Sequence, residues 1–219
     1  WGGFSNSCTD FWWFNIGISL ILNAAVILAA GDSSRMGFPK QLAEVKEKPL
    51  LQLIIDKVND NFEYSSVVLG SENEVISEKI NFKNSNILVN ENWPEGITSS
   101  IRTSLFFYQG QKEVENVIFF LADQPEVEDE VIDSLINDDH DGTKILIPQY
   151  RYKLGFPILV PRLFWPKLEL ITEDDDVDEE KSVFHDFDLI DFFISSEIKI
   201  KKLNFNFLEP IDYDEEKDF

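Results

Sequence analysis

From Gly31 to Lys40 the chain reads GDSSRMGFPK, a stretch whose residue types could do chemistry. Arg35 and Lys40 are cations, Ser33 and Ser34 carry hydroxyls, and Gly31 and Gly37 are expected to take positive φ and turn backbone N–H groups outward. Loops of this composition form concave anion sites, so the expected ligand group is a phosphate. The alternative is an ordinary surface turn with two solvated cations. The spacing is not that of a Walker A loop. A carboxylate, Asp123, stands between the apolar VIFFLA and Gln124-Pro125. At a strand's end it can hold Mg²⁺, which takes few carboxylates together with waters and phosphate oxygens. Equally, it can cap the turn that follows. Thr98, Ser99 and Ser100 follow Gly96. They suit hydrogen bonds to a base or sugar at a helix N-terminus, or simply the first turn of that helix.

These residues work together only if secondary structure delivers them to one place. Residues 24–30 (AAVILAA) have the length and composition of a strand buried on both faces, and Ala29 and Ala30 are small enough to admit a flat ligand beside the backbone. Residues 49–60 place apolar side chains at helical spacing behind a proline. Strands are expected over 66–69, 86–89 and 117–121, and helices over 72–80, 97–108 and 127–136. This alternation implies right-handed βαβ units and a Rossmann-like three-layer α/β/α sandwich on a mostly parallel sheet. Such sheets bind ligands beyond the carboxyl ends of their strands, where residues 31–40 and Asp123 both fall. Beyond Lys144 the rhythm changes. KILIP and FPILVP read as short strands joined by QYRYKLG, a hairpin or flap beside the sheet. Then follow a helix over 163–170, a solvated acidic loop over 172–180, an amphipathic helix over 183–195 and a late strand over 198–207.

The residues from Leu28 to Leu42 fit L-A-A-G-x-S-x-R-M-G-x-P-K-x-L, which resembles the opening motif of the MobA-like nucleotidyltransferases. Ala30 and Pro39 are similar to the molybdenum cofactor cytidylyltransferase branch, whereas the guanylyl branch more often has L-A-G-G and Asp before Lys. L-A-D-Q-P at Asp123 resembles the family's second motif, and Asn90–Ser100 its N-x-x-W/Y-x-x-G-x-x-x-S stretch, with Trp93, Gly96 and Ser100 in place. The family's closing D-x-D-T-P-x-D is matched in part: Asp212 keeps the second Asp, Pro210 replaces the first, and Tyr213-Asp214 replaces Thr-Pro. Two departures fall in the second half. Phe156 stands where the family has histidine, and the acidic run replaces a Gly-Asp-x-Gly-Ala-Arg stretch.

The resemblance implies the nucleotide-diphospho-sugar transferase type of fold and transfer of a nucleotidyl group from CTP, or GTP, to the phosphate of molybdopterin or its molybdenum-bound form. It implies a nucleotide site of Leu28, Ala29, Ala30, Gly31, Ser33, Ser34, Arg35, Lys40, Gly96, Ser99 and Ser100. Arg35, Lys40 and Asp123 would be catalytic, and Asp123 and Asp212 would hold Mg²⁺. An apo-molybdoenzyme is a conceivable partner. A sugar- or polyol-phosphate acceptor, or a non-catalytic escort that binds nucleotide or molybdopterin, is the alternative.

Composition bounds these readings. The 219 residues suffice for a full core, and one domain over 24–219 is expected, with a nucleotide-binding half at 24–126 and an acceptor-binding half at 127–219. A net charge of −22 argues against nucleic acid as a partner, since duplex binding needs a basic face. Cys8 is the only cysteine, so an intrachain disulfide and a cysteine-based zinc site are excluded, which fits a cytoplasmic setting. Residues 11–30 approach the length of a membrane span. Asn15 and Asn23 interrupt them, no basic flank precedes them, and their last third must feed the phosphate loop, so no membrane association is expected. Residues 1–23 are set apart as an N-terminal extension of unknown role.

Overall fold

The computed structural model describes residues 22–32, 37–170 and 189–213. β1 (Leu22–Ala29) runs through the middle of the molecule and is buried on both sides from Ala24 onward. Its side chains alternate between two cores. Ala25, Ile27 and Ala29 join one, while Ala24, Val26 and Leu28 join the other. A strand with helices on both faces has no polar side, which is why its sequence is apolar throughout.

After a two-stranded hairpin, β2 (Glu44–Val45) with β3 (Lys48–Pro49), comes α1 (Leu50–Asn61). Pro49 presets the helix entry, and Leu50, Leu51, Ile54, Ile55 and Val58 form one buried stripe. Burial of each such side chain contributes about 1.5–3 kcal/mol relative to exposure. β4 (Tyr64–Leu69), α2 (Asn73–Lys79) and β5 (Asn86–Val89) follow, then α3 (Ile97–Gln109) and β6 (Val114–Leu121). The second half adds α4 (Asp129–Ile136), β7 (Ile145–Gln149), β8 (Ile158–Pro161), α5 (Trp165–Glu169), α6 (Leu189–Ser195) and β9 (Ile200–Asn204).

Among the described residues the main sheet has the order β5-β4-β1-β6-β8-β7-β9. β5, β4, β1 and β6 are parallel, β8 is antiparallel to β6 and β7, and β9 is parallel to β7. Side chains of α1, α2 and α4 pack on one face and those of α3, α5 and α6 on the other, giving the expected α/β/α sandwich. The chain winds outward from β1 through β4 to β5, then returns to β6 on β1's other side. That reversal between β1 and β6 opens a crevice at their carboxyl ends.

Several expectations shift. The first strand starts at Leu22 rather than Ala24, because the Asn116 side-chain amide donates to Asn23 Oδ1 at 2.8 Å and draws Asn23 into pairing with β6. The paired strands β7 and β8 lie within the sheet rather than beside it, since β8 pairs with β6 over four residues. The expected helix over 163–170 splits into a 3₁₀ turn, Arg162–Phe164, and α5, with Pro166 in α5's first turn. The helix expected from residue 127 starts at Asp129, and the late strand ends at Asn204. The acidic run at 172–180 and the start of the helix expected over 183–195 lie outside the described residues. Among the described residues no helix is long and apolar enough to cross a membrane.

Candidate active site

The loops after β1 and β6 meet because their strands are neighbours. Pairing continues one residue past β6, with Ala122 N–H donating to the carbonyl of Leu28 in β1 at 3.2 Å. Asp123 thereby projects beside the loop that follows β1, and Lys40 approaches it from a single 3₁₀ turn, Lys40–Leu42. The Lys40 Nζ to Asp123 Oδ2 distance is 2.7 Å, and each side chain is 21% exposed. The cation and the carboxylate picked out by residue type thus form one ion pair in the crevice.

Four further hydrogen bonds and one apolar contact shape this crevice. Gln41, almost fully buried, donates from Nε2 to the Ala29 carbonyl at 2.9 Å and to the Gly31 carbonyl at 3.3 Å, pinning the strand-to-loop break. The C-terminal segment is stitched to the Asp123 loop. Tyr213 N–H donates to the Asp123 carbonyl at 3.1 Å, and Gln124 Nε2 donates to Asp212 Oδ1 at 2.6 Å. The Tyr213 side chain anchors that segment by packing with Val45 and Leu50. Residues distant in sequence are thereby linked, Lys40 to Asp123 directly and Asp212 to the Asp123 loop through Gln124.

The oxygen donors suit a hard divalent cation. Asp123 Oδ1 is buried and meets no hydrogen-bond donor among the described residues, and the same holds for Gln124 Oε1. A buried acceptor without a donor is costly, and a cation or its bound water satisfies it. Among the described residues no cluster of three or more His, Cys, Asp or Glu that could hold a metal occurs, and the oxygens concerned are those of Asp123, Gln124 and Asp212. Such a set fits Mg²⁺ or Mn²⁺, which retain waters and take phosphate oxygens, better than a metal needing an all-protein cage.

Other expected residues are placed differently. Leu28, Ala29 and Ala30 are buried, with side chains in the two cores, so only their backbone borders the crevice. Gly31 does not take positive φ, and a Cβ there would meet nothing within 4 Å. Gly37 alone of the two adopts it, at φ 71°. Ser33, Ser34 and Arg35 lie outside the described residues. Ser99 and Ser100 are not open to a base or sugar through their hydroxyls. Both are buried and accept from Asn90 Nδ2 at 2.7 and 3.1 Å, and Ser99 Oγ donates to the Gly96 carbonyl at 2.7 Å. The reading as a first helical turn is the one the geometry realises. Gly96 starts that helix at φ 83°, a conformation suited to glycine. Phe156 is nearly buried in the second core, so no polar side chain replaces the histidine at that position.

Residue types gave no warning of Gln41 or Gly70, while Gln124 and Asn90 stood inside the quoted motifs without a role of their own. The amides gain meaning only from tertiary neighbours. At Gly70 an added Cβ would come within 2.5 Å of Trp93 Cβ and 2.6 Å of the Ala30 carbonyl oxygen. Its position directly after β4 was the available signal. Two grooves accompany the site. One, of about 640 Å³, runs between α1, residues 125–128 and residues 207–211, next in sequence to Gln124 and Asp212. The other, of about 380 Å³, includes Asn116, His140 and Arg162, and its Glu115 and Asn116 lie at the start of β6, the opposite end from Asp123.

The fold is an α/β sandwich with a parallel-sheet switch point, where Lys40 and Asp123 meet on the segments that follow β1 and β6. Residues 25–187 match the MobA-like NTP transferase domain, and the chain belongs to that family. It is 32% identical over 129 residues to the probable molybdenum cofactor guanylyltransferase of Natranaerobius thermophilus. That match spans 57% of this chain and 59% of the relative, so the chain covers less than two thirds of the relative's length. Among solved structures, the homologue of Mycobacterium tuberculosis Rv0371c from Mycobacterium sp. strain JC1 superposes with a TM-score of 0.75 at 25% identity, over 90% of this chain and 92% of that one. Rv0371c of M. tuberculosis, solved as a complex with manganese, superposes with a TM-score of 0.69 at 20% identity, over 90% and 95% of the two chains.

Proposed function

We propose that the crevice transfers a nucleotidyl group from a nucleoside triphosphate, CTP in preference to GTP, to the phosphate of a molybdopterin-type acceptor, with release of pyrophosphate. The observation that carries this reading is the meeting of Lys40 and Asp123 at the β1–β6 switch point, on loops that follow two parallel strands. Family membership supports nucleotidyl chemistry, and the name of the Natranaerobius relative supports the acceptor class. Ala30 and Pro39 support CTP, while that relative is named for guanylyl transfer.

In this mechanism an acceptor phosphate oxygen attacks the α-phosphorus in line, and the bond to the β-phosphate oxygen breaks. The acceptor phosphate is ionised near neutral pH, so no general base is needed. Lys40 leaves Asp123 to neutralise the α-phosphate, and loop amides with Arg35 hold the β- and γ-phosphates. Asp123 and Asp212 would hold Mg²⁺, which neutralises phosphate charge when bound. Gln41 keeps the loop in place through the Ala29 and Gly31 carbonyls. The protein's contribution is positioning and charge placement, the main needs of phosphoryl-type transfer.

The test is pyrophosphate release with CTP, GTP and ATP, each crossed with molybdopterin, a sugar phosphate and a polyol phosphate. Release that requires molybdopterin and is fastest with CTP is the expected result. Release with a sugar or polyol phosphate would assign the other acceptor class. Nucleotide binding without release would favour a non-catalytic escort.

A further inference from the structure

Gln124 is 6% exposed, and its two side-chain polar atoms have different fates. Nε2 donates to Asp212 Oδ1 at 2.6 Å, whereas Oε1 is buried and meets no donor among the described residues. The amide cannot be reversed, because Oε1 facing an ionised carboxylate would set acceptor against acceptor. The neighbouring residue carries the matching feature, Asp123 Oδ1, likewise buried and without a donor among the described residues. Two adjacent residues thus present two unsatisfied oxygens, while the amide nitrogen of one fixes the second carboxylate of the site.

We infer that Gln124 is a positioning residue for the divalent cation. Its Nε2 holds Asp212 against the Asp123 loop, and its Oε1 accepts a hydrogen bond from a water on the cation. This rests on the reading that Asp123 and Asp212 are cation ligands. The contacts of Tyr213 explain why the tether is needed. Its N–H donates to the Asp123 backbone and its side chain packs on Val45 and Leu50, contacts that hold the segment's backbone, whereas Gln124 Nε2 acts on the Asp212 carboxylate itself. Outer partners that orient metal-binding carboxylates typically alter affinity by about 10–100-fold.

The experiment titrates Mn²⁺ into the 219-residue chain, following loss of the free-ion electron paramagnetic resonance signal. Gln124→Met keeps the side-chain length and removes both polar atoms, and Gln124→Asn keeps the amide but withdraws it from Asp212. Both are expected to weaken Mn²⁺ binding by about tenfold or more. Both should also raise the Mg²⁺ concentration needed for half-maximal pyrophosphate release, with most of kcat regained at saturating metal. A merely structural role would lower thermal stability without moving either metal constant. Mn²⁺ affinity within twofold of the unaltered chain in the variants that fold would overturn the inference. Asp123→Asn is the companion measurement. If it leaves Mn²⁺ affinity unchanged, the cation reading of the site fails too, which separates the two failures.

Discussion

The ion pair between Lys40 and Asp123 places opposite demands on one lysine, and replacing it with methionine separates them. With Nζ 2.7 Å from Oδ2 and each side chain 21% exposed, Lys40 competes with a cation at the neighbouring Oδ1 for the charge of one carboxylate. Unit charges about 4 Å apart attract by about 4 kcal/mol at an effective dielectric of about 20. Solvent screening at this partly exposed carboxylate reduces the competition to about 1.4 kcal/mol, or about tenfold in affinity. Lys40→Met is therefore expected to bind Mn²⁺ about tenfold more tightly in the absence of nucleotide, measured by electron paramagnetic resonance. The same variant is expected to lose pyrophosphate release by about 100-fold or more, because a charge contact in the transition state is gone. Tighter metal binding with weaker catalysis is the signature of a lysine that leaves the carboxylate for the phosphate. Unchanged or weaker Mn²⁺ binding in Lys40→Met would refute the reasoning.

Other outcomes follow from neighbouring contacts. Asp123→Asn should reduce transfer by about 100-fold or more while far-ultraviolet circular dichroism stays unchanged. Gly70→Ala pushes a Cβ against Trp93 and the Ala30 carbonyl, so a loss of about 1–3 kcal/mol is expected in urea unfolding. Asn90→Ala leaves the buried hydroxyls of Ser99 and Ser100 without their donor and should cost about 1–3 kcal/mol in the same assay. Burial opposes charge on Asp56, but hydrogen bonds from Lys83, Lys48 and Gln52 outweigh it and hold the carboxyl at about 2. A lowered pKa stabilises the fold above the ordinary carboxylate range near pH 4, and that stability is lost as pH falls toward about 2. Asp56→Asn should flatten the fall over that window in unfolding curves taken at successive pH values.

The parts of the fold legible in sequence are those set by local pattern. The run ending in Ala29 had to be buried on both faces because it contains no polar alternation, and both cores bear that out. α1 was readable from its proline and its stripe of Leu and Ile. The β2–β3 hairpin was not, because its turn sets Lys46 and Glu47 at φ 52° and 65° without a glycine or asparagine to signal it. The antiparallel insertion of β8 depends on a partner, β6, distant in sequence, with Asn116 paired to Pro161 and Phe119 to Ile158, which no local pattern encodes. The site divides the same way. Lys40 and Asp123 carry the charges that motif reading finds, whereas Gln41 and Gln124 are neutral amides whose roles exist only once strand ends meet. Ser99 and Ser100 show the converse: hydroxyls at a helix start look available in sequence, but Asn90 takes them in the folded chain.

The most direct test of nucleotidyl transfer in this crevice follows CTP labelled with radioactive phosphorus at its α position, in the presence of a molybdopterin-type acceptor and Mg²⁺. Incorporation of the label into an acceptor–nucleotide product, in step with unlabelled pyrophosphate and lost in Asp123→Asn, is the expected result. Label that stays in CTP, or appears only as free CMP whether or not the acceptor is present, would contradict it.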